Sequence, residues 1–275
     1  MPLQSLASLP DVQSHPDVRG IPIQKVGVRN VDVPLYVLQK DGHTQFVAAN
    51  VSLSVSLSEV QKGAHLSRFI IQLAEESKSK AFCYKLDSFL AETKRRLQAQ
   101  AAHIEIGFRY FADKQSPVTG HVAPMAYPCS FEASLDHEGN YHFILGVEVP
   151  IATLCPCSKE ISDYGAHNQR ALVRAKVLMD THTDHEVVWI EDLVEAIDAC
   201  ASCPVYPVLK REDEKYVTER AYDNPKFVED VIRECITALD AVASVSGFTL
   251  EVEALESIHS HNAWAFHTKN MPNSA

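Results

Sequence analysis

Apolar and polar positions alternate in some stretches of the chain and recur at helical spacing in others, and the change of period marks the elements. Val26, Val28, Leu35 and Val37 predict extended chain, with a turn at Asp41-Gly42. The run Val51-Ser-Leu-Ser-Val-Ser-Leu-Ser58 alternates without a break and predicts a strand with one buried face. Leu66, Phe69, Ile70 and Leu73 then fall at helical spacing, as do Leu86, Phe89, Leu90, Thr93 and Leu97. Alternation resumes at Ile104, Ile106, Phe108 and Tyr110, and a second strand pair surrounds the turn at 137–140, ending near Val149-Pro150. Residues 1–20 carry Pro, Ser and Asp without a period and read as a flexible arm.

The second half repeats the order. A strand is predicted from Arg170 to Met179 and a helix from Ile190 to about Cys200, with Ile190, Leu193, Val194 and Ile197 on one side. A further helix is placed with Asn224 as N-cap and Pro225 at its first position, and its apolar stripe runs through Val228, Val231, Ile232, Cys235, Leu239 and Val242. After Gly247, Phe248, Leu250 and Val252 alternate again. Each half, residues 21–140 and 141–275, thus reads strand, strand, helix, helix, strand, strand. The expected class is α+β, with antiparallel sheets carrying helices on one face. Such sheets leave unpaired edges, so a homo-oligomer that joins them into a closed barrel is the physical expectation.

Composition narrows the function. With 275 residues, 46% hydrophobic and no low-complexity tract, the chain can bury a substantial core throughout. A formal net charge of -11 argues against general nucleic-acid binding, which needs a broad positive face, but leaves room for a small phosphorylated ligand. The amino-terminal stretch lacks the basic-then-apolar order of a signal peptide, and no apolar run approaches a membrane span. A cytoplasmic location is expected, with no membrane partner, and the seven cysteines are expected to be reduced and available to a metal or to catalysis.

Chemistry concentrates in Thr153-Leu-Cys-Pro-Cys-Ser-Lys-Glu-Ile-Ser-Asp-Tyr-Gly-Ala-His-Asn-Gln-Arg170. Cys155 and Cys157 flank a proline just after a strand, and His167 follows in the same loop. Thiolate and imidazole suit Zn²⁺ or another borderline divalent ion. Two structural thiols and a surface histidine are the plain alternative; the grouping favours a metal or nucleophile role. Lys210-Arg-Glu-Asp-Glu-Lys-Tyr-Val-Thr-Glu-Arg220 reads as a solvated linker that could supply cations for phosphate and a carboxylate for a metal. In Glu256-Ser-Ile-His-Ser-His-Asn262, His259 and His261 share a face if the segment is a strand, and such a pair can bind metal or move protons. Lys62-Gly-Ala-His-Leu-Ser-Arg68 sits at a strand-to-helix junction, where basic groups and unpaired amides make either an anion site or a simple cap.

Taken together, these segments resemble GTP cyclohydrolase I of the prokaryotic type B. The resemblance runs from about Asp17 over nearly the whole chain, through Asp17-Val-Arg-Gly-Ile-Pro-Ile-Gln-Lys-Val-Gly-Val28, Lys62 to Phe69, Cys155-Pro-Cys157, Gly165 to Arg170, Asp213-Glu-Lys-Tyr-Val-Thr-Glu219 and His259-Ser-His261. Glu212 stands where the pattern has proline, and the tail after Ala265 lies outside it. The resemblance implies a tunnelling fold (T-fold) of two ββααββ modules per chain, the second carrying the metal site, assembled as a homotetramer. It implies a divalent metal, Zn²⁺ or Mn²⁺ with Fe²⁺ also conceivable, held by Cys155, His167 and Glu214, with Cys157 as a second active-site thiol. In T-folds a carboxylate grips the purine edge, and Glu229 matches it; an exposed helix glutamate is the alternative.

The expected activity is hydrolytic opening of the guanine imidazole ring of GTP, giving 7,8-dihydroneopterin triphosphate and formate, the first step of folate and pterin synthesis. Metal-activated water would attack C8, one of His259 and His261 would protonate the ring nitrogen, and Lys62, His65, Arg68, Lys210, Arg211 and Lys215 are candidates to hold the triphosphate, some across a subunit boundary. Alternatives are a T-fold nitrile reductase with a cysteine nucleophile and NADPH, a non-catalytic purine- or metal-binding oligomer, and a cyclohydrolase that makes a cyclic phosphate. The main reading requires Cys155, His167 and Glu214 to share one ligand sphere.

Overall fold

The computed structural model of the chain describes residues 11–180 and 187–272. In chain order these form β1 (Ile23–Leu38), β2 (Thr44–Leu57), α1 (Ser67–Glu76), α2 (Leu86–Leu97), β3 (Ala102–Gln115), β4 (Val122–Leu135) and β5 (Tyr141–Leu154). There follow α3 (Pro156–Ile161), β6 (Asn168–Met179), α4 (Ile190–Cys200), β7 (Cys203–Pro204), α5 (Arg211–Asp223), α6 (Val228–Asp240), β8 (Val245–Ala254) and β9 (Ala263–Lys269). The strands make one antiparallel sheet in the order β1-β2-β3-β4-β5-β6-β8-β9, with the short β7 alongside β5. An α+β architecture built on a large antiparallel sheet is therefore present.

Alternation decides which face is covered. In β2 the side chains of Val47, Ala49, Val51, Leu53, Val55 and Leu57 are buried, and in β3 those of Ala102, Ile104, Ile106, Phe108 and Tyr110. The register pairs Val51 with Ile106 and Leu53 with Ile104, so the buried sets of neighbouring strands lie side by side. The helices close over this face: Leu86, Phe89, Leu90, Thr93 and Leu97 of α2 are all buried, as are Val228, Val231, Ile232, Cys235 and Leu239 of α6. Each large apolar side chain so enclosed contributes roughly 1.5–3 kcal/mol.

The first half follows the order read from its periodicity. The second is more elaborate, with α3 between β5 and β6 and three helices between β6 and β8. The charge run expected as a linker is the helix α5. It buries only Asp213 and Ala221, so it carries no apolar stripe that spacing could reveal. The helix placed at Asn224 and Pro225 begins instead at Val228, where the Phe227 N–H donates to Asp230 Oδ2 at 3.0 Å. Asn224 closes α5, and its amide donates to the carbonyls of Ala201 and Ser202 at 3.0 and 3.3 Å. Residues 255–262 form a loop rather than the strand considered for His259 and His261.

The arm expected over residues 1–20 lies outside the described residues as far as residue 10. From Asp11 the chain makes a short 3-10 turn at Val12–Ser14, and the Asp17 N–H donates to the Val60 carbonyl at 3.0 Å. Among the described residues no helix is long and apolar enough to cross a membrane.

Candidate active site

Where β5 ends, Cys155 caps the short helix α3: Pro156 takes its first position, and the Ser158 N–H donates to Cys155 Sγ at 3.4 Å. The Cys155 N–H donates to the His167 carbonyl at 3.1 Å, and the His167 N–H to Ser158 Oγ at 3.2 Å. The loop from 155 to 167 is thus tied across its neck, and thiol and imidazole are held at its two ends. His167 Nδ1 lies 3.0 Å from Gln169 Oε1, and Gln169 Nε2 donates to Glu256 Oε1 at 3.3 Å.

Sheet pairing delivers the remaining groups. β6 pairs with β8 as far as Ala171 and Ala254, and the Leu255 N–H continues the ladder to the Arg170 carbonyl at 2.9 Å. That brings the 256–261 loop beside His167. Within it the rings of His259 and His261 stack with centroids 5.1 Å apart and planes 18° from parallel. On the other side, the Lys226 N–H donates to the Leu154 carbonyl at 3.0 Å, which sets the start of α6, and so Glu229, next to the cysteine loop. A cavity of about 350 Å³ results, with Cys155, His167, Glu229, His259 and His261 in its walls. Its size falls within the range of small-molecule sites.

Among the wall residues with no role assigned from sequence are Gln169, Lys226, Glu256 and Trp264. Lys226 is 9% exposed, and its ammonium meets Glu234 Oε2 at 2.6 Å and the Cys200 carbonyl at 3.0 Å. A lysine beside proline at a supposed helix start carries no signal of such burial. Gln169 lies just inside the start of β6, two residues after His167, ahead of the strand predicted from Arg170, so its place beside the ring was not legible either. Thr153 Oγ1, also in the wall, is buried without a partner among the described residues.

Other expected site residues lie elsewhere in the single chain. Cys157 is exposed on α3 and is not in the cavity wall. Glu214 is exposed in the first turn of α5, also outside the wall. Lys62, His65 and Arg68 occupy the β2–α1 junction, where His65 has φ of 51° and Arg68 Nη1 donates to the Arg96 carbonyl at 3.1 Å. Lys210, Arg211 and Lys215 are exposed at the start of α5. Neither basic group lines the cavity. Among the described residues, no three His, Cys, Asp or Glu side chains gather closely enough to hold a metal ion. Of the expected ligand trio, then, Cys155 and His167 come together and Glu214 does not join them. The two that meet suit a borderline divalent ion in donor type, and a partner on Nδ1 is the usual arrangement for a ligating imidazole.

Fold and cavity define an α+β protein with a small-molecule pocket at the end of its sheet, furnished with thiol, imidazole and carboxylate for hydrolytic or group-transfer chemistry. A family model described as Type I GTP cyclohydrolase folE2 matches residues 9–265. A relative called GTP cyclohydrolase FolE2, from Geotalea uraniireducens, is 46% identical over 255 residues, covering 93% of this chain and 91% of the relative. Another of that name, from Pelobacter propionicus, is 45% identical over 257 residues, covering 94% and 97%. The chain belongs to the type I GTP cyclohydrolase folE2 family. Among solved structures, a uricase from Bacillus fastidious superimposes with a TM-score of 0.44 at 10% identity over 90% of this chain and 93% of that one, a likeness too loose to bear on chemistry.

Proposed function

We propose that the chain is a GTP cyclohydrolase that opens the guanine imidazole ring of GTP by hydrolysis, releasing formate and giving 7,8-dihydroneopterin triphosphate for folate synthesis. The observation that carries this reading, beside the family match, is that one cavity collects Cys155, His167, Glu229, His259 and His261 from three separate stretches of chain.

Glu229 is the guanine anchor: its carboxylate accepts two hydrogen bonds, from N1–H and the exocyclic amine, a donor pair adenine lacks. Cys155 and His167 would hold a divalent ion, Zn²⁺ or Mn²⁺, with Glu214 as the third donor, supplied by a neighbouring subunit in the assembly. When bound, the ion supplies Lewis-acid activation of water for attack at C8. The stacked pair His259 and His261 donates the proton that the ring nitrogen needs as its bond to C8 breaks. Lys62, His65, Arg68, Lys210, Arg211 and Lys215 are the candidates from which the cations for the triphosphate are drawn, some across a subunit boundary, and Cys157 is the second thiol of the site. The assembly is a homotetramer of two-module T-fold chains whose sheets join into a barrel.

The test is incubation of metal-reconstituted protein with GTP, following formate and the fluorescent oxidised pterin, with chelator-treated protein as control. Cys155→Ala is expected to lose metal and at least about 10²-fold in turnover, in line with loss of a group that acts in the transition state. Full metal content together with full turnover in that variant would refute the site.

A further inference from the structure

We propose that Glu256 and Gln169 form a relay that fixes the tautomer of His167, holding its proton on Nδ1 and leaving the lone pair of Nε2 to the cavity. The inference rests on reading His167 as a metal ligand, and it assigns to two neighbours a positioning role that makes it one.

The argument is one of donors and acceptors. A carboxylate only accepts, so the contact of 3.3 Å between Glu256 Oε1 and Gln169 Nε2 fixes which end of the glutamine amide faces it. The oxygen end must then face His167, and Gln169 Oε1 lies 3.0 Å from Nδ1. An amide oxygen also only accepts, so Nδ1 must carry the proton. A neutral ring protonated there has none on Nε2. The Ser257 hydroxyl, 3.5 Å from Nδ1, can accept as well and does not oppose this polarity. In water an unpartnered histidine ring favours the opposite form, with the proton on Nε2, so the relay works against an intrinsic preference.

The relay is part of the sheet. Gln169 is paired with Thr153 in the β5–β6 ladder, two residues beyond His167, which fixes the side of the ring on which its amide stands. Glu256 is delivered by the Leu255 N–H bond to the Arg170 carbonyl at 2.9 Å. The ring therefore meets its metal with the ligating nitrogen already bare. Partners of this kind contribute about ten- to a hundredfold in metal affinity.

Chelator-treated protein labelled with ¹⁵N decides the matter through the long-range ¹⁵N–¹H correlations of the ring, at a pH where the imidazole is neutral. The His167 signals are identified by their loss in His167→Ala. Wild type is expected to show a protonated Nδ1 and a bare Nε2. Gln169→Leu is expected to move the ring to the Nε2-protonated form and to weaken Zn²⁺ binding ten- to a hundredfold in competition with a chelating dye. Exchanging the pair, Gln169→Glu with Glu256→Gln, still presents an acceptor to Nδ1 and should restore both signatures, which a merely space-filling role would not. Wild-type protein with its proton on Nε2, or an exchange variant no better than Gln169→Leu with both folded by circular dichroism, would overturn the relay. Should wild type bind no Zn²⁺, the metal reading fails by itself, while the tautomer signals still decide for or against the relay.

Discussion

Asp213 shows how a single enclosed side chain can hold the start of a helix against a distant turn. It is 0% exposed, and burial by itself pushes a carboxyl pKa up. Against this, Asp213 accepts the N–H groups of Val118, Thr119 and Lys210 at 2.9 Å each and the Thr119 hydroxyl at 2.6 Å. These donors outweigh burial and hold the group well below the usual carboxylate range. A depressed folded pKa means that the stabilisation is present above the unfolded value, about 4, and is lost as pH falls toward the folded one. Asp213→Asn, which replaces one accepting oxygen by an amide NH₂ facing these donors, is therefore expected to lower the urea midpoint at pH 7 and to flatten its fall between pH 4 and pH 2. Equal acid slopes in wild type and variant would remove this account. The residue stood in a quoted motif, yet its role was illegible because Val118 is 95 positions away. By contrast, Cys155 and His167 were legible as neighbours because one short loop carries both.

At the scale of elements, legibility followed burial. The stripes of α2 and α6 and the alternation of β2 and β3 could be read because one face of each enters the core, and burial imposes the period. α5 escaped because polar capping and a bed on the β3–β4 turn hold it rather than an apolar face. The start of α6 was misplaced because Asn224 and Lys226 direct their hydrogen bonds to Ala201, Ser202 and Leu154 instead of to the helix. Gly27 is another case in which tertiary packing decides. A Cβ built there would lie 2.0 Å from the Leu53 carbonyl oxygen, against backbone that no side-chain motion can move, and the β1–β2 register shifts on either side of it. No rotamer relieves such a contact, so β1 must peel from β2. Gly27→Ala is expected to destabilise the protein by about 1–3 kcal/mol, the usual range for overpacking. Urea unfolding measures it, and an unchanged midpoint would mean that the two strands already stand further apart.

For the whole molecule, the question is what covers the two ends of the sheet. Among the described residues β1 and β9 are its edges, and no described strand pairs with the outer side of either. β9 is also unusually apolar for an edge: Trp264 and Phe266 are 59% and 50% exposed, and their rings stack at 5.9 Å. An uncovered apolar edge invites pairing with further chains, and proteins that remain soluble pair it, blunt it or close it. Nothing on β9 blunts it between Ala263 and Phe266, and the net charge of -11 opposes indiscriminate aggregation without preventing specific pairing. Pairing between copies, as proposed above, is one such solution, and it can be tested at β9. Phe266→Lys places a charge in that edge, two residues beyond the wall residue Trp264, without removing any buried side chain. The variant is expected to keep its circular dichroism spectrum while sedimenting as smaller species than wild type, with GTP turnover falling in step with dissociation as the protein is diluted. A variant that sediments like wild type at every concentration would show that β9 is not where the copies join.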